Sequence, residues 1–127
     1  PCKFKVIRGC VFRQSNPAVV GVQILGGILN LNTKLMKYDG SKASYVKSIQ
    51  SEGEDIESAD YGKEIAISVP NIVVGRQIHE DDIIFSDITE KEFIKLKKLK
   101  KYLKPHELDV LKEIAEIKRR TEPMWGM

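Results

Sequence analysis

Cysteine and histidine are scarce in this chain, with two of each among 127 residues. Cys2 and Cys10 are separated by a segment that reads as extended strand, and eight such residues span roughly 26 Å, far beyond disulfide reach. Free thiols and a cytoplasmic home follow as the simpler expectation. Two cysteines with the distant His79 and His106 do not make a zinc site at any usual spacing. No apolar run approaches the roughly 20 residues of a membrane span. No charged segment leads into a long apolar core, as a secretory signal requires. Catalytic signatures are missing as well. There is no G-x-x-x-x-G-K-[S/T], no G-x-G-x-x-G, no H-E-x-x-H and no G-x-S-x-G. No nucleophile has a base in a plausible arrangement, so the chain is not expected to be an enzyme by itself, and no catalytic residue is assigned. The acidic cluster Glu52, Glu54, Asp55 and Glu57 and the run His79-Glu80-Asp81-Asp82 read as solvated turn residues and not as a cation site. No metal and no cofactor is expected in this stretch.

A strong charge of one sign is also missing. The formal net charge is +3, and its distribution is uneven. Residues 1 to 87 hold 10 Lys and Arg against 11 Asp and Glu, a balance of −1. Residues 88 to 127 hold 11 against 7, a balance of +4. A general nucleic-acid binder usually shows a strongly basic face. Any nucleic-acid contact made by the first part must therefore be local. Hydrophobic residues at 42% and charged residues at 31% give an ordinary globular balance. The chain is long enough for one domain with its own core and a small appendage. It begins with Pro1 and not Met, and reads as a piece of a longer protein or a processed product.

The stretch that organises the rest is Val11 to Gly27. Asn16-Pro17 breaks a first strand over 4 to 13, because proline pushes the preceding residue toward extended or turn geometry. In that strand Phe4, Val6 and Cys10 share one parity, and Ile7, Val11 and Arg13 the other. A second strand over 18 to 25 places Val20, Val22 and Ile24 on one face, and Gly26-Gly27 supplies positive φ for the next reversal. Ile28 to Tyr38 reads as a third strand with an internal turn at residues 30 to 33, and Asp39-Gly40 as a hairpin. Ala43 to Gln50 is expected as one strand, Ser51 to Gly62 as an acidic loop with one helical turn, and Glu64 to Val69 as a cleanly alternating strand ending at Pro70. Ile72 to Ile78 and Ile83 to Phe85 complete seven or eight strands. Short strands at regular turn spacing predict a closed or nearly closed antiparallel β-barrel over residues 1–87.

The texture changes at Asp87. Thr89-Glu90-Lys91-Glu92 is a capping box, opening a helix expected to run to about Lys104 with Phe93, Leu96, Leu99 and Leu103 at helical spacing. Pro105 suits the first position of a second helix carrying Leu108, Leu111, Ile114 and Ile117. The fold class is therefore mainly β, with a C-terminal helical hairpin over residues 88–127. Lysines cover much of the first helix, either as a solvated face or as a cradle for an acidic partner. Trp125 reads first as a packing anchor. Two polar loops stand out. Arg13 to Asn16 gathers a guanidinium, a hydroxyl and two carboxamides at a turn, and binding residues often sit on loops held by a rigid sheet; Ser and Asn are also ordinary turn formers. At Gly75-Arg76-Gln77, glycine permits close backbone approach, Arg76 offers a planar fork for phosphate or carboxylate, and Gln77 offers both donor and acceptor.

Pro1-Cys2-Lys3, the spacing Phe12-x-x-x-x-Pro17, Gly21-Val22, Gly27, Gly62, and Gly75-Arg76-Gln77 followed by Asp82-Ile83 together resemble the C-terminal domain of the archaeal and eukaryotic translation initiation factor five-B, the homologue of bacterial initiation factor two. Ala59-x-x-Gly62-x-x-Ile65-x-Ile67 is similar to a recurring segment in the second domain of translational GTPases. The resemblance covers the whole barrel, and the helical tail extends it. One departure is Asn32, where the barrel pattern usually has glycine; Asn tolerates the left-handed region best among the other residues. No GTPase domain is present in this stretch. The resemblance implies that the barrel binds the methionylated acceptor end of initiator tRNA, with Arg13, Ser15, Asn16, Gly75, Arg76 and Gln77 as candidates placed by matching the family's loops. It implies that the terminal helices dock the acidic tail of initiation factor one-A, with Lys97, Lys98, Lys101, Lys104, Leu108, Leu111 and Trp125 as candidates. It further implies action as a monomer on the ribosome, in ribosomal subunit joining, away from membranes. A protein-docking module with no RNA binding is the alternative.

Overall fold

Period-two hydrophobicity builds most of this chain, and the computed structural model describes all of residues 1–127. Ten strands precede the helices: β1 Cys2–Arg13, β2 Ala18–Gly27, β3 Leu29–Asn30, β4 Lys34–Lys37, β5 Lys42–Tyr45, β6 Ser48–Ser51, β7 Glu54–Ile56, β8 Ser58–Ala59, β9 Glu64–Val69 and β10 Ile83–Ser86. Eight of them form one antiparallel sheet in the order β5-β4-β10-β1-β2-β9-β6-β7, and β3 and β8 pair separately. The sheet wraps as a half-barrel around a core that includes Phe4, Val6, Val22, Ile24, Leu29, Ile49, Ile67 and Ile84. Helix α1 runs Glu90–Lys98 and α2 Pro105–Arg119, with one 3₁₀ turn at Lys100–Tyr102 between them. The Thr89 and Glu92 capping box is formed, and Pro105 stands in the first turn of α2.

The strands expected at 18 to 25, 64 to 69 and 83 to 85 are present, and the Asp39-Gly40 reversal links β4 to β5. Five local readings are corrected. The span 43 to 50 is two strands, because the chain turns at Val46, whose N–H donates to the Thr33 carbonyl and whose own carbonyl accepts from Asn32. The acidic span 51 to 62 holds no helical turn: Glu52 and Gly53, at φ 52° and 80°, make a hairpin that sets Ile56 opposite Ile49. The run 72 to 78 is a loop with a single bridge between Val74 and Ile78; Ile72, Val74 and Ile78 are buried and Gly75 to Gln77 are exposed, because Gly75 turns the chain at φ 100°. The first helix stops at Lys98, six residues short of Lys104, since Leu99 lies on no apolar surface and is 42% exposed.

The fifth correction concerns β1. Val6 pairs with Val22 and Val11 with Val20, so β1 carries three surplus residues in that interval. An odd surplus reverses the strand's parity. Val11 therefore packs against the core that Phe4 and Val6 enter, while Cys10 is only half-buried.

The helices rest on the outside of the barrel. Along β4 and β10 the side chains alternate: Leu35 and Ile84 enter the barrel core, while Met36 and Phe85 face a second cluster with Phe93, Val110, Leu111, Ile114 and Trp125. Helix α2 comes so close to β2 that a Cβ on Gly26 would lie 2.5 Å from Val110 Cγ2 and 3.1 Å from the His106 carbonyl oxygen. The Gly27 N–H donates to His106 Nδ1 at 2.9 Å, and the imidazole stacks on Tyr61 with ring centroids 4.5 Å apart. Lys3 pairs with Glu113, and Lys118 with Asp87.

Three outcomes are expected. Gly26→Ala overpacks this contact and lowers stability by about 1–3 kcal/mol, read as a lower urea midpoint. Cys2 is fully buried, and that burial pushes its thiol from the usual value up to about 11. The unfolded chain releases this proton first, so the contribution is complete below pH 9 and declines as the pH rises toward 11. Cys2→Ala should flatten the alkaline fall in stability. In the folded chain Cys10 should react with a disulfide reagent and Cys2 only after unfolding.

Candidate nucleic-acid and partner interfaces

The two polar loops picked out by their residue types meet at one end of the barrel. The Val74 N–H donates to the Gln14 carbonyl at 3.0 Å, and Gln14 Nε2 returns a bond of 3.4 Å to the Val74 carbonyl. Between the loops lies a cleft of about 420 Å³ lined by Val11, Phe12, Arg13, Gln14, Val74, Gly75, His79 and Glu80. Arg13 and Gly75 line it, as their residue types suggest. Ser15, Asn16, Arg76 and Gln77 sit on the same loops outside the lining. Gln77 accepts a bond from the Val73 N–H through Oε1, so one end of its carboxamide is already used in the turn. Arg13 Nε donates to the Ser15 carbonyl at 2.9 Å, which orients the guanidinium. Asn16 takes φ 61°, the left-handed geometry its short side chain tolerates, and the Asn16-Pro17 bond is cis.

The acidic run 79 to 82 works as a clamp for the irregular part of β1. Asp81 pairs with Arg8 at 2.5 Å and with Lys5 at 3.8 Å. Glu80 Oε2 accepts from the Gly9 N–H at 3.2 Å, and Asp82 Oδ2 accepts from the His79 N–H at 2.8 Å. Gly9 has φ 81°. These bonds tie Lys5, Arg8 and Gly9 of β1 to the acidic turn. Gln14 is one of the two carboxamides noted in the 13–16 loop, whereas Phe12 and His79 are not among the candidate binding residues. Phe12 is 65% exposed, and its place directly before Arg13 was the available signal.

The second surface is on the helices. Lys97, Lys98, Lys101 and Lys104 are exposed, and none of them makes an ion pair. Lys101 lies 5.2 Å from the ring centre of the exposed Tyr102. Leu108 is half-buried, whereas Leu111 and Trp125 are inside the second cluster. Trp125 packs on Phe93 at 4.8 Å between ring centres, and its carbonyl accepts from Arg119 Nε at 2.7 Å. It is an anchor of the helical layer, as its terminal position first suggested.

The fold and its surfaces define a β-barrel domain with polar loops meeting at a cleft and two helices on its outer face. The profile of the family described as Elongation factor Tu domain 4 matches residues 1–85. The chain is 44% identical over 128 residues to the "Probable translation initiation factor IF-2" of Methanopyrus kandleri, covering 100% of this chain and 21% of that protein. It is 45% identical over 127 residues to the protein of the same name from Methanocella arvoryzae, covering 99% and 21%. The structure described as "Crystal structure of GDP-bound aIF5B from Aeropyrum pernix" superposes with a TM-score of 0.93 at 35% identity, over 98% of this chain and 21% of that one. The chain belongs to the elongation factor Tu domain 4 family and matches the C-terminal domain of the archaeal IF-2/5B translation initiation factors. It spans about a fifth of the length of these relatives, and the matched stretch holds no GTPase domain. No helix is long and apolar enough to cross a membrane.

Removing the clamp should loosen the site without unfolding the barrel. In Asp81→Ala, amide hydrogen exchange at residues 7–13 should speed up several-fold while β9 stays protected. Global stability should fall by less than about 1 kcal/mol, because these ion pairs are exposed.

Proposed function

We propose that this domain binds the methionylated acceptor end of initiator tRNA in the cleft between the 13–16 and 75–77 loops, and that its helices dock the acidic tail of initiation factor one-A. The observation that carries the first half is the cleft itself: two sequence-distant polar loops line one opening on a barrel with almost no net charge. The acceptor end is single-stranded. Its recognition uses stacking, backbone donors and a few polar side chains, and needs no broad basic surface. Arg13, with its guanidinium already oriented, suits a phosphate or the aminoacyl carbonyl, and Arg76 lies close by on the facing loop. The Gly75 backbone leaves room for close approach, and Ser15, Asn16 and Gln77 offer further polar contacts.

For the second half, four unpaired lysines on the helices complement an acidic peptide. The exposed Leu99 and Tyr102 and the half-buried Leu108 offer apolar contact. Leu111 and Trp125 support this surface from beneath. On this reading residues 1–87 and 88–127 divide the two tasks, and the whole factor acts on the ribosome in the cytoplasm during subunit joining. A docking module with no RNA contact is the competing reading.

Parallel titrations separate the two. The chain should bind methionylated initiator tRNA more tightly than the uncharged tRNA, and Arg13→Ala or Arg76→Ala should weaken that binding roughly 10-fold. Reversing Lys97, Lys98, Lys101 and Lys104 to Glu should abolish binding of an acidic Asp/Ile-rich peptide and leave the tRNA titration unchanged. Peptide binding without discrimination between the two tRNAs would remove the acceptor-end assignment.

A further inference from the structure

Phe12 is a large aromatic side chain left 65% exposed in the middle of a sheet protein. Its place is dictated by its neighbours. The surplus in β1 turns Val11 toward the core, and a further register shift between Val11 and Arg13 leaves both Phe12 and Arg13 exposed. The Glu80 and Asp81 clamp holds the strand before it, at Arg8 and Gly9. Phe12 lies between two concavities and lines both. On one side is the polar cleft with Arg13, Gln14 and His79. On the other is an apolar depression of about 260 Å³, with Ile7, Cys10, Gly21 and Ile65 among its lining residues. Gly21 keeps this depression open beneath the bulge, since a Cβ there would meet Cys10 Cβ at 2.8 Å. A rigid ring next to a guanidinium, at the rim of a polar cleft, is the arrangement that receives an unpaired base: the ring supplies the stacking face and the cation the phosphate contact.

From this juxtaposition we infer that Phe12 is the stacking platform for an unpaired nucleobase of the RNA bound in the cleft. The inference rests on the acceptor-end reading given above and adds to it the residue that holds the base. Stacking is indifferent to base identity. Phe12 therefore supplies affinity and position, and discrimination between charged and uncharged ends is left to the polar groups.

The test uses a short RNA hairpin ending in unpaired CCA, methionylated, with 2-aminopurine replacing the terminal adenine. An unrelated single-stranded oligonucleotide carrying the same probe shows whether any unpaired base suffices. Binding to the chain should quench the probe's fluorescence. Phe12→Leu should lose the quenching and roughly 10-fold or more in affinity. Phe12→Trp should retain both. The dependence of affinity on salt should be the same in all three proteins, because the ring neutralises no phosphate. Thermal unfolding of each variant guards against a folding defect, and if Phe12→Leu is destabilised, Phe12→Trp decides. Quenching and affinity unchanged in Phe12→Leu would overturn the role of Phe12 and leave the acceptor-end reading intact, as would a folded Phe12→Trp that neither binds nor quenches. A wild-type chain that binds no methionylated hairpin would overturn both.

Discussion

Three surplus residues in β1 between Val6 and Val11, followed by a further register shift between Val11 and Arg13, decide which side chains reach the cleft. A strand alternates between faces, so an odd insertion reverses the residues that follow it until the next shift. Here it brings Val11 inward and leaves Phe12 outside, beside Arg13, at the mouth of a cleft. The irregular backbone lacks part of its ladder partners. The Glu80 carboxylate meets part of that need by accepting from the Gly9 N–H, and Asp81 adds an ion pair to the Arg8 side chain. The acidic turn 79–82, which in isolation looks like ordinary loop polarity, is thus tied to the geometry of the loop opposite it.

The helical layer depends on a second close approach. Strands β4 and β10 carry apolar residues on both faces, so the barrel has an outer apolar patch that must be covered. Helix α2 covers it, and Gly26 lets the helix backbone come near enough for Val110 to pack. His106 and Glu113 on one side, and Lys118 and Arg120 further along, tie the helix to the sheet through Gly27, Lys3, Asp87 and the Tyr38 carbonyl. With apolar contacts and directional bonds spread along the helix, the basic face of α1 is held at a defined place relative to the barrel.

This division of surfaces fits the uneven charge. The barrel is nearly neutral and offers a small, shaped cleft, which suits a flexible single-stranded end carrying a specific chemical group. The helices carry the cationic surplus, which suits a partner recognised mainly through charge. Long-range attraction would bring such a partner in, and salt would weaken it. On the reading proposed above, keeping the two surfaces on different elements allows both to be occupied without one blocking the other.

Local patterns in the chain were enough for much of this. Alternation in 64 to 69, the Asp39-Gly40 reversal, the Thr89 and Glu92 capping box and Pro105 at a helix start each depend on residues within a few positions, and local physics determines them. The antiparallel β-barrel class, expected as closed or nearly closed and found as a half-barrel, the two trailing helices and the family were legible for the same reason, through the order of strands, glycines and prolines. Arg13 could be picked out for its charge at a turn and Gly75 for the close backbone approach that a glycine permits. Residue order could not reveal that their loops touch, because residues 14 and 74 are joined only through the tertiary fold. The parity of β1 beyond Val6, the strand β8 and the seat of α2 on Gly26 were decided by pairing between separate elements: Val20 and Val22 for β1, β3 for β8 and β2 for α2. Strand β7 is a local hairpin on β6, and it was hidden because its acidic residues carry no period-two apolar signal.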